Sequence, residues 1–433
     1  MPSHDAESDP TAGGRANGPL PVDEGGDPVI ATTLEHAGEL LDDAIDLRRS
    51  LHEHPELGND LPRTTDQVLA ALDGLPLGIT RHETTTGIAA MLEGAKPGPT
   101  ILLRGDMDAL PMPEDSGVDF TSQVDNTMHA CGHDLHTAML AGAARLLSER
   151  RDEIAGRVLF MFQPGEEGHH GAKFMLDEGL LDVPALSDGS LSPVDAAFAL
   201  HVTSLLPTGF VSSRGGPVMA SADTARIVIT GKGGHASSPH FALDPIPVAC
   251  EIVQSLQTMV TRSIDVFDPA VVTVGRIAAG TTSNVIPESA TIDATIRTVG
   301  ERTRTKVHDG IKRVAEGIAA AHGCECEVTI NIGYPVTTND EAYAERSLAL
   351  ARDVVGGDQV FALPNPIMGA EDFSYVLQQV PGAMMFLGAT PHDRNAGTAA
   401  PNHSNRVYYD EHAMTTGIAL YSTAALRHLA PAT

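Results

Sequence analysis

The chain of 433 residues carries 57 acidic and 28 basic side chains, which give a formal net charge of −29. This acidic balance argues against nucleic acid or an anionic membrane as a partner, because both repel negative charge. The four cysteines are too few for a disulfide framework in a chain of this length. The length itself predicts two domains.

Residues 1–33 are rich in Gly, Pro, Asp and Ala and contain no apolar run of the kind that a signal peptide needs. We predict that they form a disordered acidic tail. No apolar stretch approaches the roughly 18 residues that span a membrane, so no membrane segment is expected. A cysteine that must remain a thiolate ligand favours a reducing compartment, and we expect the protein to be cytoplasmic.

The first half of the chain alternates between helical and apolar strand patterns. An amphipathic helical pattern runs from Leu34 to Arg49 and stops before Pro55 and Gly58. Further on, the pattern predicts a helix over Ala138–Leu147 and strands over Thr100–Leu103, Val158–Phe162 and Ala196–Leu200. Continuous apolar strands separated by helices are typical of a mostly parallel sheet with both faces covered.

The pattern changes at about Pro217. Strands are predicted over Thr224–Thr230, Val271–Ile277, Ala290–Thr298 and Cys324–Ile332, and helices over Pro245–Val260 and Arg302–Ala321. This β-α-β-β-α-β order is that of the ferredoxin-like split motif. After Tyr334 the alternation resumes with a helix over Glu341–Val355 and an apolar run over Ala383–Leu387.

The sequence therefore predicts a mixed, mostly parallel α/β domain with a smaller α+β domain inserted into it. Residues 34–216 and 333–433 form the larger domain in this prediction, and residues 217–332 form the ferredoxin-like insertion. Polar groups follow the carboxyl ends of the predicted strands in the larger domain, and ligands bind at that edge in open α/β sheets.

Two short motifs point to metal chemistry. The first places Cys131 two residues before His133, and thiolate sulfur and imidazole nitrogen suit zinc and similar transition metals. The second places Glu166 and Glu167 side by side after an apolar run, where one carboxylate can bind a metal and the other can act as a base. An exposed acidic pair is the alternative interpretation of the second motif.

Other polar groups near these motifs allow more than one interpretation. Asp106 and Asp108 follow a predicted strand, where one of them could orient a ligand imidazole or both could form an Asx turn. His136 follows His133 by one helical turn and is expected to be a core or capping residue. His201 ends a strand, where it could be either a ligand or a buried core histidine.

Taken together, these motifs and several others resemble the M20 metallopeptidase clan. Within the clan they are similar to the amidohydrolase branch, which includes hippurate, N-acyl-amino-acid and auxin-conjugate hydrolases. The resemblance covers nearly the whole chain after the tail. Its motifs are Leu51-His52-Glu53-His54-Pro55-Glu56-Leu57, Arg104-Gly105-Asp106-Met107-Asp108-Ala109-Leu110-Pro111, His129-Ala130-Cys131-Gly132-His133-Asp134, Gln163-Pro164-Gly165-Glu166-Glu167, Gly233-Gly234-His235-Ala236, Asn284-Val285-Ile286-Pro287, Met368-Gly369-Ala370-Glu371-Asp372-Phe373 and Asn402-His403-Ser404.

The resemblance implies a centre with two divalent transition-metal ions, which could be Zn, Mn, Co or Ni. Glu166 would be the general base, and Asp108 would orient a metal ligand. Asp106 stands where relatives outside this branch keep a metal-binding histidine, so it is not assigned as a ligand. The implied ligands are Cys131 as the bridging group together with His133, Glu167, His201 and His403.

The resemblance also implies that the inserted domain is a lid and the contact surface of a homodimer. His235 would reach the active site of the partner subunit. Asn284 and Arg297 would hold the carboxylate of the substrate. Ala294 occupies a position where a glycine is common before the Thr-x-Arg segment, a departure that weakens the assignment of Arg297.

The expected activity is hydrolysis of the amide bond in small N-acyl amino acids, either hippurate-like or N-acetyl substrates. An exopeptidase or dipeptidase of the same clan is the main alternative, and an N-carbamoyl-amino-acid hydrolase is another. A metal-dependent binding protein without turnover is a further possibility from another class. The presence of Glu166 and of all five candidate ligands argues against it.

Overall fold

The computed structural model describes residues 28–185, 189 and 191–430. The helices in this part of the chain are α1 (Pro28–Glu39), α2 (Leu41–Glu53), α3 (Pro62–Ala71), α4 (His133–Glu149), α5 (Gly171–Asp177), α6 (Pro245–Ser263), α7 (Glu301–Ala321), α8 (Glu341–Val355), α9 (Ser374–Leu377) and α10 (Ala413–His428). The strands are β1 (Leu77–Arg81), β2 (Ile88–Glu93), β3 (Lys96–Asp106), β4 (Ala155–Gln163), β5 (Val194–Pro207), β6 (Val211–Ser213), β7 (Gly216–Met219), β8 (Asp223–Thr230), β9 (Gly234–His235), β10 (Ala270–Ala279), β11 (Val285–Ile286), β12 (Ser289–Thr298), β13 (Glu325–Asn331), β14 (Thr337–Asn339), β15 (Val360–Ala362) and β16 (Gly382–Thr390).

A large sheet forms the centre of the molecule, with the strand order β1-β2-β4-β3-β5-β16-β6-β15. The four central strands, β4, β3, β5 and β16, pair in parallel. β1 and β2 extend one side of the sheet in antiparallel pairing. The predicted mixed, mostly parallel sheet is therefore confirmed.

Both faces of this sheet are covered, as expected for strands that are apolar throughout. All nine residues of β4 are buried. Phe160 and Phe162 point into the core beneath α4 and α10, whereas Leu159 and Met161 pack on the opposite face with the region of α5 and α9. Successive side chains of a strand point to opposite faces, which explains this division.

A second sheet is built by residues between β7 and β14. It is antiparallel, with the strand order β10-β12-β8-β13, and α6 and α7 pack on one of its faces. In chain order these elements are strand, helix, strand, strand, helix and strand. Alternate residues of β8, including Ile227 and Ile229, are buried against the helices, while Arg226 on the other face forms an ion pair with Asp293.

The structure corrects two predicted boundaries. The tail was expected to reach residue 33, but α1 begins at Pro28, which occupies the first helical position where proline fits well, and Thr33 is buried. Residues 1–27 of the predicted tail lie outside the described residues. Val218 and Met219, assigned to the insertion from residue 217, instead pack in the core of the large sheet, because β7 pairs with β14.

Among the described residues, no helix has the length and apolar character needed to cross a bilayer.

Candidate metal centre

The five predicted ligands meet at the carboxyl edge of the large sheet. The Sγ atom of Cys131 lies 3.4 Å from Nε2 of His201 and 3.2 Å from Nε2 of His403. The same nitrogen of His403 lies 3.2 Å from Oε1 of Glu167. His133 has a candidate ligand atom within 4.8 Å of those of Cys131 and His201, and also within 4.8 Å of those of Glu166 and Glu167. The candidate ligand groups therefore share members and form one continuous centre.

Local backbone geometry places the cysteine and the first histidine together. Gly132 has φ of +88° and precedes α4, whose first residue is His133, so the helix begins five residues before the predicted start at Ala138. A Cβ atom on Gly132 would lie 2.3 Å from a methyl carbon of Val202. Only glycine fits both the left-handed conformation and this close approach.

The other ligands come from separate segments. His201 lies within β5, and Glu167 lies in the turn after β4. His403 has φ of +66°, and its backbone N–H donates a 2.8 Å hydrogen bond to the carbonyl of Ala130. This bond holds the last ligand loop directly against the segment that carries Cys131.

The donor atoms fit a divalent transition metal. Nδ1 of His133 lies 2.8 Å from the backbone carbonyl oxygen of Asp108 and is thereby assigned as the N–H donor, which leaves the lone pair on Nε2. That Nε2 atom and Oε1 of Glu167 are buried without a hydrogen-bond partner in the described part of the chain. Buried polar atoms are normally satisfied, so these two are available to a cation.

Electrostatics favour a thiolate at this point. Burial alone would raise the pKa of the Cys131 thiol, but neighbouring His201 and His133 lower that pKa to about 5. Burial opposes charge on His201, yet Cys131 raises its pKa to about 9. The hydrogen bond with Cys131 and the ion-pair contact with Glu167 raise the pKa of His403 to about 10. The thiolate and carboxylate thus draw positive charge towards one point, as a metal site requires.

Asp108 supports both glutamates and a ligand histidine. Its Oδ1 accepts the backbone N–H of Glu166 and its Oδ2 accepts that of Glu167, each at 2.9 Å. Oδ1 also lies 3.4 Å from Nδ1 of His133. The predicted orienting role is therefore joined by a second one, because the same carboxylate fixes the turn that carries the candidate base.

Glu166 is set among other acids. Its side chain is buried, and a carboxylate oxygen lies within 4.8 Å of those of Glu371 and Asp372. Burial, followed by the charges of Glu371 and Glu167, raises the pKa of Glu166 well above its ordinary value. A carboxylate with a raised pKa holds a transferred proton more readily than an ordinary one.

A buried arginine that no sequence pattern singled out supplies a positive charge among these acids. Arg104 is 0% exposed and lies 2.7 Å from Asp106, 2.7 Å from Glu371 and 3.3 Å from Asp372. Gln163 accepts from Arg104 at 2.8 Å and donates to Asp372 at 2.6 Å. The signal in the sequence was a charged residue directly after the apolar run Thr100–Leu103. An arginine that continues a buried strand needs acidic partners.

Asp106 and His136 have structural partners. Oδ1 of Asp106 lies 2.6 Å from Nδ1 of His136, and Nε2 of His136 accepts the backbone N–H of Val202 at 2.7 Å. Asp106 is also paired with Arg104. These contacts are consistent with leaving Asp106 out of the ligand set and with the expected core role of His136.

Three of the predicted site residues belong to residues 217–332, the inserted segment. His235 is exposed, and its Nδ1 lies 2.8 Å from Oγ of Ser237. Asn284 is also exposed, and its backbone carbonyl accepts the N–H of Ala236. Arg297 on β12 is half-buried, and its Nη1 atom has no hydrogen-bond partner among the described residues. No hydrogen bond or ion pair within the described residues joins these three to the ligands.

Known proteins are similar to this chain over most of its length. Residues 102–427 match peptidase family M20/M25/M40. The chain belongs to this family. The N-acetylcysteine deacetylase of Bacillus subtilis is 39% identical over 384 residues, which cover 88% of this chain and 96% of the relative. Thermostable carboxypeptidase 2 of Saccharolobus solfataricus is 37% identical over 395 residues, which cover 90% and 96%.

A solved structure shows the same fold. The YXEP protein of Bacillus subtilis, described as a dinuclear metal binding peptidase of the M20 family, superposes with a TM-score of 0.77 at 35% identity. The match covers 90% of this chain and 99% of that one. The resemblance to the M20 clan and its amidohydrolase branch is therefore confirmed, and this M20 protein is a hydrolase.

Proposed function

We propose that this M20 hydrolase cleaves the amide bond of small N-acyl amino acids, with Glu166 as the general base. The juxtaposition of a buried glutamate and five converging ligands carries this conclusion. Glu166 and Glu167 are neighbours in sequence, but Glu167 lies beside His403, whereas Glu166 lies beside Glu371 and Asp372. This separation of the two side chains supports the division into one ligand and one base.

The ligands would hold two divalent ions. Cys131 belongs to one ligand group with His133 and His201 and to another with Glu167 and His403, which supports a bridging position. When bound, the ions would lower the pKa of water and polarise the scissile carbonyl. Thiolate, imidazole and carboxylate together suit Zn, Mn, Co or Ni.

A side chain of the protein would transfer the protons. Glu166 takes a proton from the attacking water as the water oxygen bonds to the carbonyl carbon. It then donates that proton to the amide nitrogen as the C–N bond breaks, which releases a carboxylic acid and an amino acid. Asp108 contributes by holding the backbone of Glu166 in place.

The inserted segment would complete the site as a lid and as the contact surface of a homodimer. His235 is exposed on β9 and makes no contact with the ligands of its own chain within the described residues, which supports a role in the active site of a partner subunit. There it would stabilise the developing oxyanion. The Nη1 atom of Arg297 has no hydrogen-bond partner in the described part of the chain, which supports its role, together with Asn284, in holding a substrate carboxylate.

An exopeptidase is the second candidate, because one relative is named a carboxypeptidase. A carboxypeptidase removes a residue that has a free carboxylate. Arg297 could therefore bind the substrate carboxylate both in that reaction and in the cleavage of an N-acyl amino acid. The group on the other side of the amide bond distinguishes them. The relative named N-acetylcysteine deacetylase favours an acyl group.

A substrate panel tests the proposal. Hippurate, N-acetyl-Met, indole-acetyl-Ala, a dipeptide and an N-carbamoyl amino acid would each be incubated with Mn or Zn, with and without chelator. We expect chelator-sensitive release of free amino acid from the N-acyl compounds. Cleavage of the dipeptide alone would establish the exopeptidase instead, and cleavage of the carbamoyl compound alone would establish the carbamoyl hydrolase. Metal binding without any turnover would favour a non-catalytic protein.

A further inference from the structure

Tyr334 lies where the chain returns from the inserted segment to the large sheet. Its backbone carbonyl accepts the N–H of Ala222 at 3.0 Å, and Ala222 directly precedes β8, where the chain enters the inserted sheet. The adjacent Gly333 donates its N–H to Asp223 at 2.9 Å, and Asp223 is paired with Arg304 of α7. The two crossing points of the chain are therefore joined to each other beside Tyr334.

The side chain of Tyr334 extends from this hinge into the candidate active site. It is 7% exposed, and its hydroxyl donates a hydrogen bond to the backbone carbonyl of Glu166. The hydroxyl also lies 3.4 Å from the backbone nitrogen of His170, whose N–H donates to it, and the His170 ring packs edge-on against Tyr334 at 4.9 Å. Burial, followed by the nearby charges of Asp372 and Glu166, raises the pKa of the phenol, which keeps it a donor.

The backbone of Glu166 is thus held at both its N–H group and its carbonyl group. Asp108 binds its N–H, and Tyr334 binds its carbonyl. The carboxylate of Glu166 lies beside those of Glu371 and Asp372, and like charges at this separation repel one another. The turn therefore needs fixed anchors if the carboxylate is to stay at one position.

We propose that Tyr334 is a positioning residue for amide hydrolysis, whose hydroxyl fixes the peptide of Glu166 and links it to the hinge of the inserted segment. This inference rests on the proposed role of Glu166 as the base. A displacement of the inserted segment at the hinge would reach Glu166 through this hydrogen bond.

Tyr334→Phe removes the hydroxyl and keeps the ring. Tyr375→Phe is the matched control, because the Tyr375 hydroxyl binds Nδ1 of His170 and the carbonyl of Gly333 but has no bond to Glu166. We expect Tyr334→Phe to lower kcat by about tenfold or more, since misplacement of a reacting group by about 1 Å can cost about a hundredfold in rate. KM should stay within about twofold and the metal content should be unchanged, because substrate and metals keep their own contacts.

The result that would overturn this role is a kcat for Tyr334→Phe equal to that of the wild type, or equal losses in the two variants. Rates would be measured on whichever panel compound the wild type cleaves fastest, so a peptide substrate would serve as well as an N-acyl amino acid. Crystal structures of the wild type and Tyr334→Phe give a readout without turnover. We expect the Glu166 peptide to be displaced, and an unchanged turn would refute the positioning role even if the wild type cleaved none of the panel.

Discussion

The Sγ atom of Cys131 lies 3.2 Å from Nε2 of His403, although 272 positions separate the two residues in the chain. The other candidate ligands come from the start of α4, the turn after β4, and β5. Unfolding would scatter all of these donor atoms. Metal binding and folding are therefore expected to be coupled.

Removal of metal should lower the thermal stability of the protein. Metal at about one hundred times its dissociation constant contributes about 2.7 kcal/mol to the folded state, and a chelator abolishes this contribution. Differential scanning fluorimetry with chelator, followed by addition of Mn or Zn, measures the change. Cys131→Ala should lose most of the response, whereas Cys250→Ala, at an exposed cysteine, should keep it. An equal response in both variants would rule out Cys131 as a ligand.

Glu166→Gln should reduce turnover while the metal content stays the same. The amide has the shape of the carboxylate but cannot accept the proton, and general base catalysis contributes about 10²- to 10⁴-fold to rates. Steady-state kinetics and elemental analysis measure the two quantities. Glu153→Gln is the control, because Glu153 is an exposed residue paired with Arg150. Activity of Glu166→Gln close to that of the control would contradict the assignment of the base.

Arg104→Met should destabilise the fold strongly. The substitution leaves Asp106, Glu371 and Asp372 buried without their cation, and breaking a buried ion pair from one side costs about 3–5 kcal/mol. Arg406→Met provides the comparison, because Arg406 pairs with Asp115 but is 71% exposed, and such pairs contribute about 0–1 kcal/mol. Urea unfolding of both variants measures the difference. Similar losses would show that the buried charges do not depend on Arg104.

The buried His52 predicts a pH dependence of stability. Burial alone would lower its pKa, but Asp134 and Glu114, which bind its two ring nitrogens, raise that pKa overall. A histidine whose pKa is raised in the folded state stabilises the protein fully below its unfolded value of about 6.5. That contribution is lost as the pH rises through the folded-state pKa.

The difference in unfolding free energy between the wild type and His52→Gln should therefore shrink as the pH rises above about 6.5. Urea titrations in chelator across this range measure it, because chelator removes the separate pH dependence of metal binding. His412→Gln, at an exposed histidine, is the control variant. A difference that grows with pH would contradict the predicted direction.

Local sequence patterns predicted much of the fold. The helix expected over Glu341–Val355 has the same bounds as α8, and the apolar runs at 158–162 and 196–200 lie within β4 and β5. These segments are determined by their own periodicity and by burial on both faces. The start of α1 was not predicted, because residues 28–33 were assigned to the disordered tail. In the structure, Ile30 and Thr33 share a buried helical stripe with Ala37.

Local sequence patterns predicted less of the candidate site than of the fold. Cys131 and His133 form a recognisable pair, whereas His403 is one of 19 histidines and was singled out only by resemblance to a family. Arg104 and Tyr334 were not assigned any role, because their partners Glu371 and Glu166 lie 267 and 168 positions away. No periodicity encodes contacts of this kind, which arise only when the sheet is assembled.

The position of His403 has a consequence during synthesis. The candidate ligands Cys131, His133, Glu167 and His201 all precede the inserted segment, and His403 follows it. Domains usually begin to fold while the chain is still being made, starting from the amino-terminal part. The nascent chain would therefore pass through a long period in which four of the five ligands have emerged and the last has not. Completion of the candidate metal centre would then follow synthesis of the inserted segment, and chains that stop before His403 should fail to retain the full metal complement.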